Sequence, residues 1–414
     1  MNRERRILLF ASGFAPYAFS ENIVSSKLAL AFLERGWQFR VISRMDEGPS
    51  YVTEWQRPWD ILQPHTCELR YTHGGFVART WDVWRRSARL GFMTPGIRWA
   101  GRAWELASHW HRENPFSVVL SRAPTDVGHV PALMFSRQTG IPWIANWNDP
   151  PTHLWPQPYT HRLGPVAGFT SRKLLADVFR TASAVTFPSE RLRQHVLRHA
   201  DAGSTKTSVI PHLGLVRWNS SAVGQAGCFR LCHAGNLSGE RDPGTLFEGL
   251  SRFLRQVKPS PAVELTIIGV RQPETLAKAE KHGVAPQVKI TGGLGYLETL
   301  KRLSESDVLV LVEAPCEEGI FLPSKVVDYA QVGRPILAIS PRVGTMVDLL
   351  AETGAGVAAD CREAHAVTQA LIRLYEAWRT GSLSGEFSTL RLWERFKPEA
   401  VLRQYEELFA SINK

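Results

Sequence analysis

No window of the 414-residue chain approaches the 18 or more apolar residues of a membrane-spanning helix. The opening stretch MNRERRILLFASGFAPYAF starts basic, but its uninterrupted apolar run covers only Ile7 to Ala11 before Gly13 and Pro16 break it, so it reads as a first strand rather than a secretory leader. Cysteine is scarce: five residues (Cys67, Cys228, Cys232, Cys316 and Cys361), scattered and without a C-x-x-C pair. That argues against a disulfide framework and a zinc site and fits a reduced, cytoplasmic chain. No Asp-x-Asp triplet occurs and no carboxylate pair with metal-like spacing closes a strand, so neither a metal nor a cofactor is expected. The G-x-G-x-x-G fingerprint of a nicotinamide dehydrogenase is missing after the first strand, where ASGFAPYAF stands instead.

What is present is enough chain for two cores, because a single core stops growing at about 250–300 residues. The composition, 44% apolar and 21% charged, is that of a packed globular protein. The net charge of +10 is uneven: residues 1–215 hold 26 Lys and Arg against 16 Asp and Glu, and residues 216–414 hold 23 of each. The whole excess lies in the first half, which either faces something anionic or solvates itself.

Apolar runs of strand length, at 7–10, 39–43, 117–120, 142–146, 184–188 and 207–211, alternate with helix-period segments such as 22–35, which ends at Gly36. The pattern restarts at 229–233, 264–269, 288–291, 308–312 and 335–339. Alternation of this kind predicts parallel sheets with helices on both faces. The expected organisation is two doubly wound α/β domains, 1–213 and 228–390, joined by a Gly/Ser/Asn-containing linker at 214–227. A C-terminal helix over 391–414 could pack back on the first domain. The cleft between the domains is the natural ligand site for sheets of this type.

One stretch carries the chemistry most clearly: EEGIFLPSKVVDYAQVGRPILAIS, residues 317–340. It places Pro-Ser-Lys at a helix start, an acid one turn in, and Gly-Arg-Pro before an apolar strand. A helix N-terminus with its unpaired N–H groups is an anion site. Ser324 and Lys325 sit on it, and Asp328, one turn deeper, has a carboxylate that accepts from two vicinal hydroxyls. Phosphate at the helix mouth with a diol beside it describes a nucleoside diphosphate; the competing account is a capped core helix with incidental charges. A second element, LCHAGNLSGERDPGTLFEGL, sets Arg241 just before another helix, where it either pairs with the same diphosphate or is a solvated loop arginine.

These two stretches resemble the GT-B glycosyltransferases, and in particular the large retaining family 4, over most of the chain. AGNLSGERDP is similar to that family's Gly-rich turn with its phosphate-binding basic residue, which carries to Arg241. EGIFLPSKVVDYAQVGRPILA is similar to its donor-site signature, in which two acids flank a Gly/Pro loop. Here Glu318 and Asp328 stand ten positions apart, more than the family's usual spacing, and Glu317 is an alternative first acid. IPWIANWNDPP is similar to the segment that lines the acceptor side, with Asn148 where some relatives carry histidine and with Asp149 in place.

The resemblance implies two Rossmann-like domains facing each other across a cleft. It implies retaining, metal-independent transfer of a sugar from a nucleotide-sugar donor, UDP- or GDP-linked, to a glycan or polyprenyl-linked acceptor in cell-surface polysaccharide biosynthesis. Glu318 and Asp149 would be catalytic, and Arg241, Ser324 and Lys325 would hold the donor diphosphate. Asp328 would hold the ribose, with Ser20, Glu21 and Asn22 as an acceptor-side loop. A nucleotide-sugar epimerase of the same fold and a non-catalytic subunit are the alternatives.

The segment 79–112 holds seven Arg and five Trp. Such interleaving suits an anionic membrane interface on the inner face, and equally an ordinary core helix with arginines snorkelling at its rim. No nucleic-acid-binding module is recognisable.

Overall fold

The computed structural model describes residues 6–17, 19–44, 60–70, 75–123, 125–160, 162–218, 227–237, 239–259, 262–270 and 272–412. The chain divides into two compact units, one of residues 1–155, 160–212 and 401–414, the other of residues 156–159 and 213–400.

The first unit is built on seven parallel strands: β1 (Arg6–Ala11), β2 (Gln38–Arg44), β3 (Thr66–Leu69), β4 (Val118–Ala123), β5 (Trp143–Trp147), β6 (Ala184–Phe187) and β7 (Lys206–Val209). Their order is β3-β2-β1-β4-β5-β6-β7. A parallel sheet is covered on both faces, which is why β1 reads RILLFA and buries all six residues, and why β5 does the same with WIANW. The covering helices are α1 (Ser20–Glu34), α2 (Phe76–Leu90), α3 (Ile97–Glu113), α4 (Val130–Thr139), α5 (Pro165–Thr181) and α6 (Glu190–Leu197).

The second unit repeats the plan with β8 (Cys228–Ala234), β9 (Ala262–Ile268), β10 (Val288–Ile290), β11 (Val308–Val312), β12 (Ile336–Ser340) and β13 (Gly356–Asp360), in the order β10-β9-β8-β11-β12-β13. Its helices are α7 (Gly244–Val257), α8 (Pro273–Lys281), α9 (Tyr296–Ser304), α10 (Ser324–Val332), α11 (Thr345–Thr353), α12 (Ala364–Arg379), α13 (Leu383–Glu386) and α14 (Leu390–Phe396). A last helix, α15 (Pro398–Ile412), counts from Val401 with the first unit, where Tyr405 and Phe409 set their rings against Phe32 at 5.7 and 5.8 Å. In both units the strand order reverses beside the first strand, between β1 and β4 and between β8 and β11. Ligands of doubly wound sheets bind at that reversal, at the carboxyl ends of the strands.

Three details differ from the sequence reading. Strands β3 and β13 come as additions, both at sheet edges. Ser20, Glu21 and Asn22 are the first turn of α1 rather than a loop. The helix begins early because the turn before it is stapled to it: Asn22 Nδ2 donates to Phe14 O at 2.9 Å and Ser26 Oγ accepts from Ala15 N at 2.9 Å. The C-terminal segment is two helices, broken at Lys397–Pro398, where proline cannot donate its backbone N–H.

Of the stretch read as a linker, residues 219–226 lie outside the described residues. Its first residues are pinned within the second unit, Gly214 N donating to Phe396 O at 2.8 Å and Trp218 N to Gln331 O at 2.8 Å. Among the described residues no helix is long and apolar enough to cross a membrane.

Candidate active site

The second unit gathers its chemistry where β8 and β11 end. Strand β8 runs out into Gly235 and Asn236, and β11 into Glu313. Helix α10 is tied to this point through the Tyr329 hydroxyl, which accepts from Ala234 N at 3.1 Å and donates to Val310 O at 2.9 Å. The helix starts at Ser324 behind Pro323, with no side-chain cap, and stops at Gly333 in the left-handed region, φ 79°. Its first-turn N–H groups are therefore not taken up by a capping side chain.

Lys325 lies on that first turn, its Nζ 3.5 Å from His233 Nε2. His233 is fully buried, and burial together with Lys325 keeps its imidazole neutral, well below the usual histidine range. Its Nδ1 faces Val310 O at 2.9 Å and must donate there, so Nε2 is left as the acceptor toward the lysine. Gly235 makes room for this contact: a Cβ there would come within 2.8 Å of Lys325 Nζ, and its φ of 117° excludes most other residues.

Burial, and next the Arg241 guanidinium, depress Lys325 to about 7, with Glu313 and Asp328 opposing. Burial pushes the Glu313 carboxyl up to about 8, against the pull of Arg241 and Lys325. Near neutral pH, Glu313 is mostly protonated while Arg241 is fully charged, so the site is positive. Tyr159 reaches the same point. Burial raises its phenol while Arg241, which is hydrogen-bonded to it, draws it down, and its ring meets Phe321 edge-on at 5.4 Å.

The structure thus brings Arg241 and Lys325 into mutual electrostatic range, with Ser324 beside Lys325 at the helix start. Asp328, one turn on, has its Oδ1 held by the Tyr296 hydroxyl of α9 at 2.6 Å, so the carboxylate is aimed rather than loose. Glu318 is half-buried and Glu317 exposed in the loop before α10. There Gly319 bridges to Gly344, donating to Val343 O at 2.9 Å and accepting from Thr345 N at 2.7 Å. Ile320, in the same loop, is buried, 1% exposed. His233, Glu313, Tyr159 and Tyr296 were not singled out from the sequence. The one available signal was the His233-Ala-Gly-Asn run at a strand end.

In the first unit the corresponding point holds a chain of polar groups. Arg122, at the end of β4, donates from Nη1 to Tyr405 Oη at 3.3 Å and from Nη2 to Asn148 Oδ1 at 3.0 Å, and Asn148 Nδ2 donates to Glu21 Oε2. Burial raises the Glu21 carboxyl, opposed by Arg122 and Asn148. Asp149 follows Asn148 directly, half-buried; Ser20 is exposed and Asn22 buried. Among the described residues no three His, Cys, Asp or Glu side chains converge as a metal site.

Two families cover most of the chain. Residues 22–212 match the glycosyl transferase 4-like domain and residues 229–377 match glycosyl transferases group 1. No curated protein sequence matches the chain. Among solved structures it is similar to sucrose-phosphate synthase from Thermosynechococcus elongatus, at 15% identity over 99% of both chains with a TM-score of 0.70. It is similar to HepE from Anabaena in complex with UDP and glucose, at 15% identity over 98% of this chain and 100% of that one, TM-score 0.68. It is also similar to TarM from S. aureus in complex with fondaparinux, alpha-GlcNAc-glycerol and UDP, at 10% identity over 98% and 99% of the chains, TM-score 0.66. Identities this low speak for a shared fold.

Proposed function

Because the chain belongs to the GT-B glycosyltransferases of the family 4-like type, we propose that it moves a sugar from a UDP- or GDP-linked donor to a lipid-linked or polysaccharide acceptor. The transfer retains the anomeric configuration, needs no metal, and serves cell-surface polysaccharide assembly at the cytoplasmic face of the membrane. The observation that carries the reading is the positive site of Arg241 and Lys325 at the uncapped start of α10. A departing diphosphate develops charge there, and preorganised cations stabilise it without a metal. Ser324 adds a hydroxyl, Asp328 holds the ribose and Glu318 faces the sugar. In the first unit, Asp149 serves the reacting centre, and Ser20 and Glu21 face the acceptor, while buried Asn22 holds the turn before α1. The UDP complexes of HepE and TarM support a nucleoside-diphosphate donor.

The purified protein should be stabilised by UDP or GDP in a thermal-shift series, since a ligand that binds only the native state raises its stability by mass action. It should also release that diphosphate from a nucleotide sugar when membrane lipid or polysaccharide is added, with chelator present. Loss of turnover in chelator would remove metal independence, and an inverted anomer in the product would remove retention. A converted nucleotide sugar without an acceptor would favour the epimerase.

A further inference from the structure

Glu313 is a buried acid at the start of α10 with no task in the transfer described above. It follows β11 at the strand-order reversal, and its backbone N–H donates to Ile339 O at 2.9 Å, continuing the ladder to β12. The loop it opens is held from the other side by Arg362, which donates from Nη2 to Pro315 O at 2.5 Å and to Cys316 O at 3.0 Å. The backbone that carries the carboxyl is therefore fixed on both sides. The residue is 9% exposed, and its Oε2 is buried without a hydrogen-bond partner among the described residues. A buried polar atom in that position costs free energy until a ligand or a water supplies the partner.

The surroundings of Glu313 narrow what that partner is. The positive charges of Arg241, after β8, and Lys325, on the first turn of α10, act on its carboxyl. Tyr159, Cys316 and Cys361 also face it, and burial raises all three, so a phenol and two thiols stay neutral. A buried carboxylate beside two cations closes into an ion pair. Here no ion pair joins Glu313 to either cation among the described residues. Arg241 is instead hydrogen-bonded to Tyr159, and Lys325 Nζ stands 3.5 Å from His233 Nε2. An unpaired carboxyl in this place is a neutral acid up to about pH 8. With its proton on Oε2 it is an O–H donor, whereas a carboxylate only accepts.

An O–H without an acceptor, set beside two cations and an uncapped helix start, fits a group that all of them attract: a phosphoryl oxygen. We infer that Glu313 is a hydrogen-bond donor to the donor diphosphate, its carboxyl O–H meeting a phosphoryl oxygen beside Arg241 and Lys325. The proton stays on Glu313 throughout, so no bond to it is made or broken. As the bond between sugar and phosphate breaks, negative charge grows on the diphosphate and the same hydrogen bond strengthens. The inference rests on the transferase reading above and adds a residue to its donor site.

UDP is the probe, titrated calorimetrically into the full-length protein and two variants at about pH 7 and about pH 9, on either side of the Glu313 value. Glu313→Leu removes the donor and keeps an apolar group of similar size, and should weaken UDP about tenfold or more at about pH 7. Glu313→Gln keeps a donor that does not ionise. It should hold most of the native affinity at about pH 7 and exceed native about tenfold at about pH 9, where about nine-tenths of native Glu313 is ionised. Proton uptake on binding at about pH 9, read in buffers of different ionisation enthalpy, should be smaller in this variant by about one proton. Native affinity in Glu313→Leu would make the acid a bystander, and a tenfold loss in Glu313→Gln at about pH 7 would make it a carboxylate that organises the cations. A Glu313→Gln profile parallel to native over this range would take the proton out of binding, and this comparison decides alone if the leucine variant does not fold. Each of these results overturns the assignment and leaves UDP binding, and with it the transferase reading, in place. A native protein that binds neither UDP nor GDP removes both.

Discussion

At the scale of the residue, Lys325 is a lysine whose charge depends on what is bound. Burial and Arg241 hold it near 7, and burial holds Glu313 near 8. A diphosphate arriving at its ammonium favours the charged form, so binding takes up a proton wherever the pH lies above the free-protein value. The sign follows. UDP affinity should be fully present below about pH 7 and fall as the pH rises through it, and Glu313, ionising above about pH 8, should add like charge and deepen the fall. Lys325→Gln should bind about tenfold more weakly at low pH and lose most of the slope. Calorimetry in buffers of different ionisation enthalpy reads both affinity and proton uptake, and a native profile flat from about pH 6 to 9 would dismiss the titration. None of these partners was visible in sequence spacing. His233 and Glu313 stand 92 and 12 residues before Lys325, and only strand order places both beside it.

At the scale of the element, α10 was legible because its punctuation is local. Pro323 and Ser324 start it, and Gly333, φ 79°, ends it as the sequence reading placed them. Edge strands β3 and β13 were not, since TCEL has no apolar run, that of GVAAD is only three residues, and each pairs on one side alone. The tie from Tyr296 to Asp328 joins two helices 32 residues apart and has no sequence signature. It does have a consequence. In the proposed role Asp328 would hold ribose in ground state and transition state alike, so Asp328→Ala should raise KM and weaken UDP by about tenfold with a smaller change in kcat. Tyr296→Phe should move the same constants in the same direction by less, because the carboxylate stays while its orientation loosens. Glu318→Ala should fall chiefly on kcat and spare UDP, because charge grows on the sugar as its bond breaks. If Glu317→Ala loses kcat and Glu318→Ala keeps it, the acid is the neighbour.

At the scale of the whole molecule, the segment 79–112 with its seven Arg and five Trp is divided by the fold between two helices, α2 and α3. Trp99 is fully buried, its indole N–H donating to Ser43 O at 2.9 Å, and Arg86 is spent on Asp82 and Glu105. α3 is a core helix with arginines at its rim, while α2 turns stacked Trp81 and Trp84, ring centroids 5.0 Å apart, to solvent. An aromatic face beside unbalanced positive charge suits an anionic bilayer surface. The protein should then float with vesicles containing phosphatidylglycerol, and added salt should release only the electrostatic share of the attraction. Trp81→Ala with Trp84→Ala should remove the salt-resistant share, and Arg85→Gln, an exposed arginine on the same helix, should lower binding at low salt and flatten the salt dependence. Flotation of the double tryptophan variant indistinguishable from native at about 0.15 M salt, where screening has weakened the electrostatic share, would place the bilayer contact elsewhere.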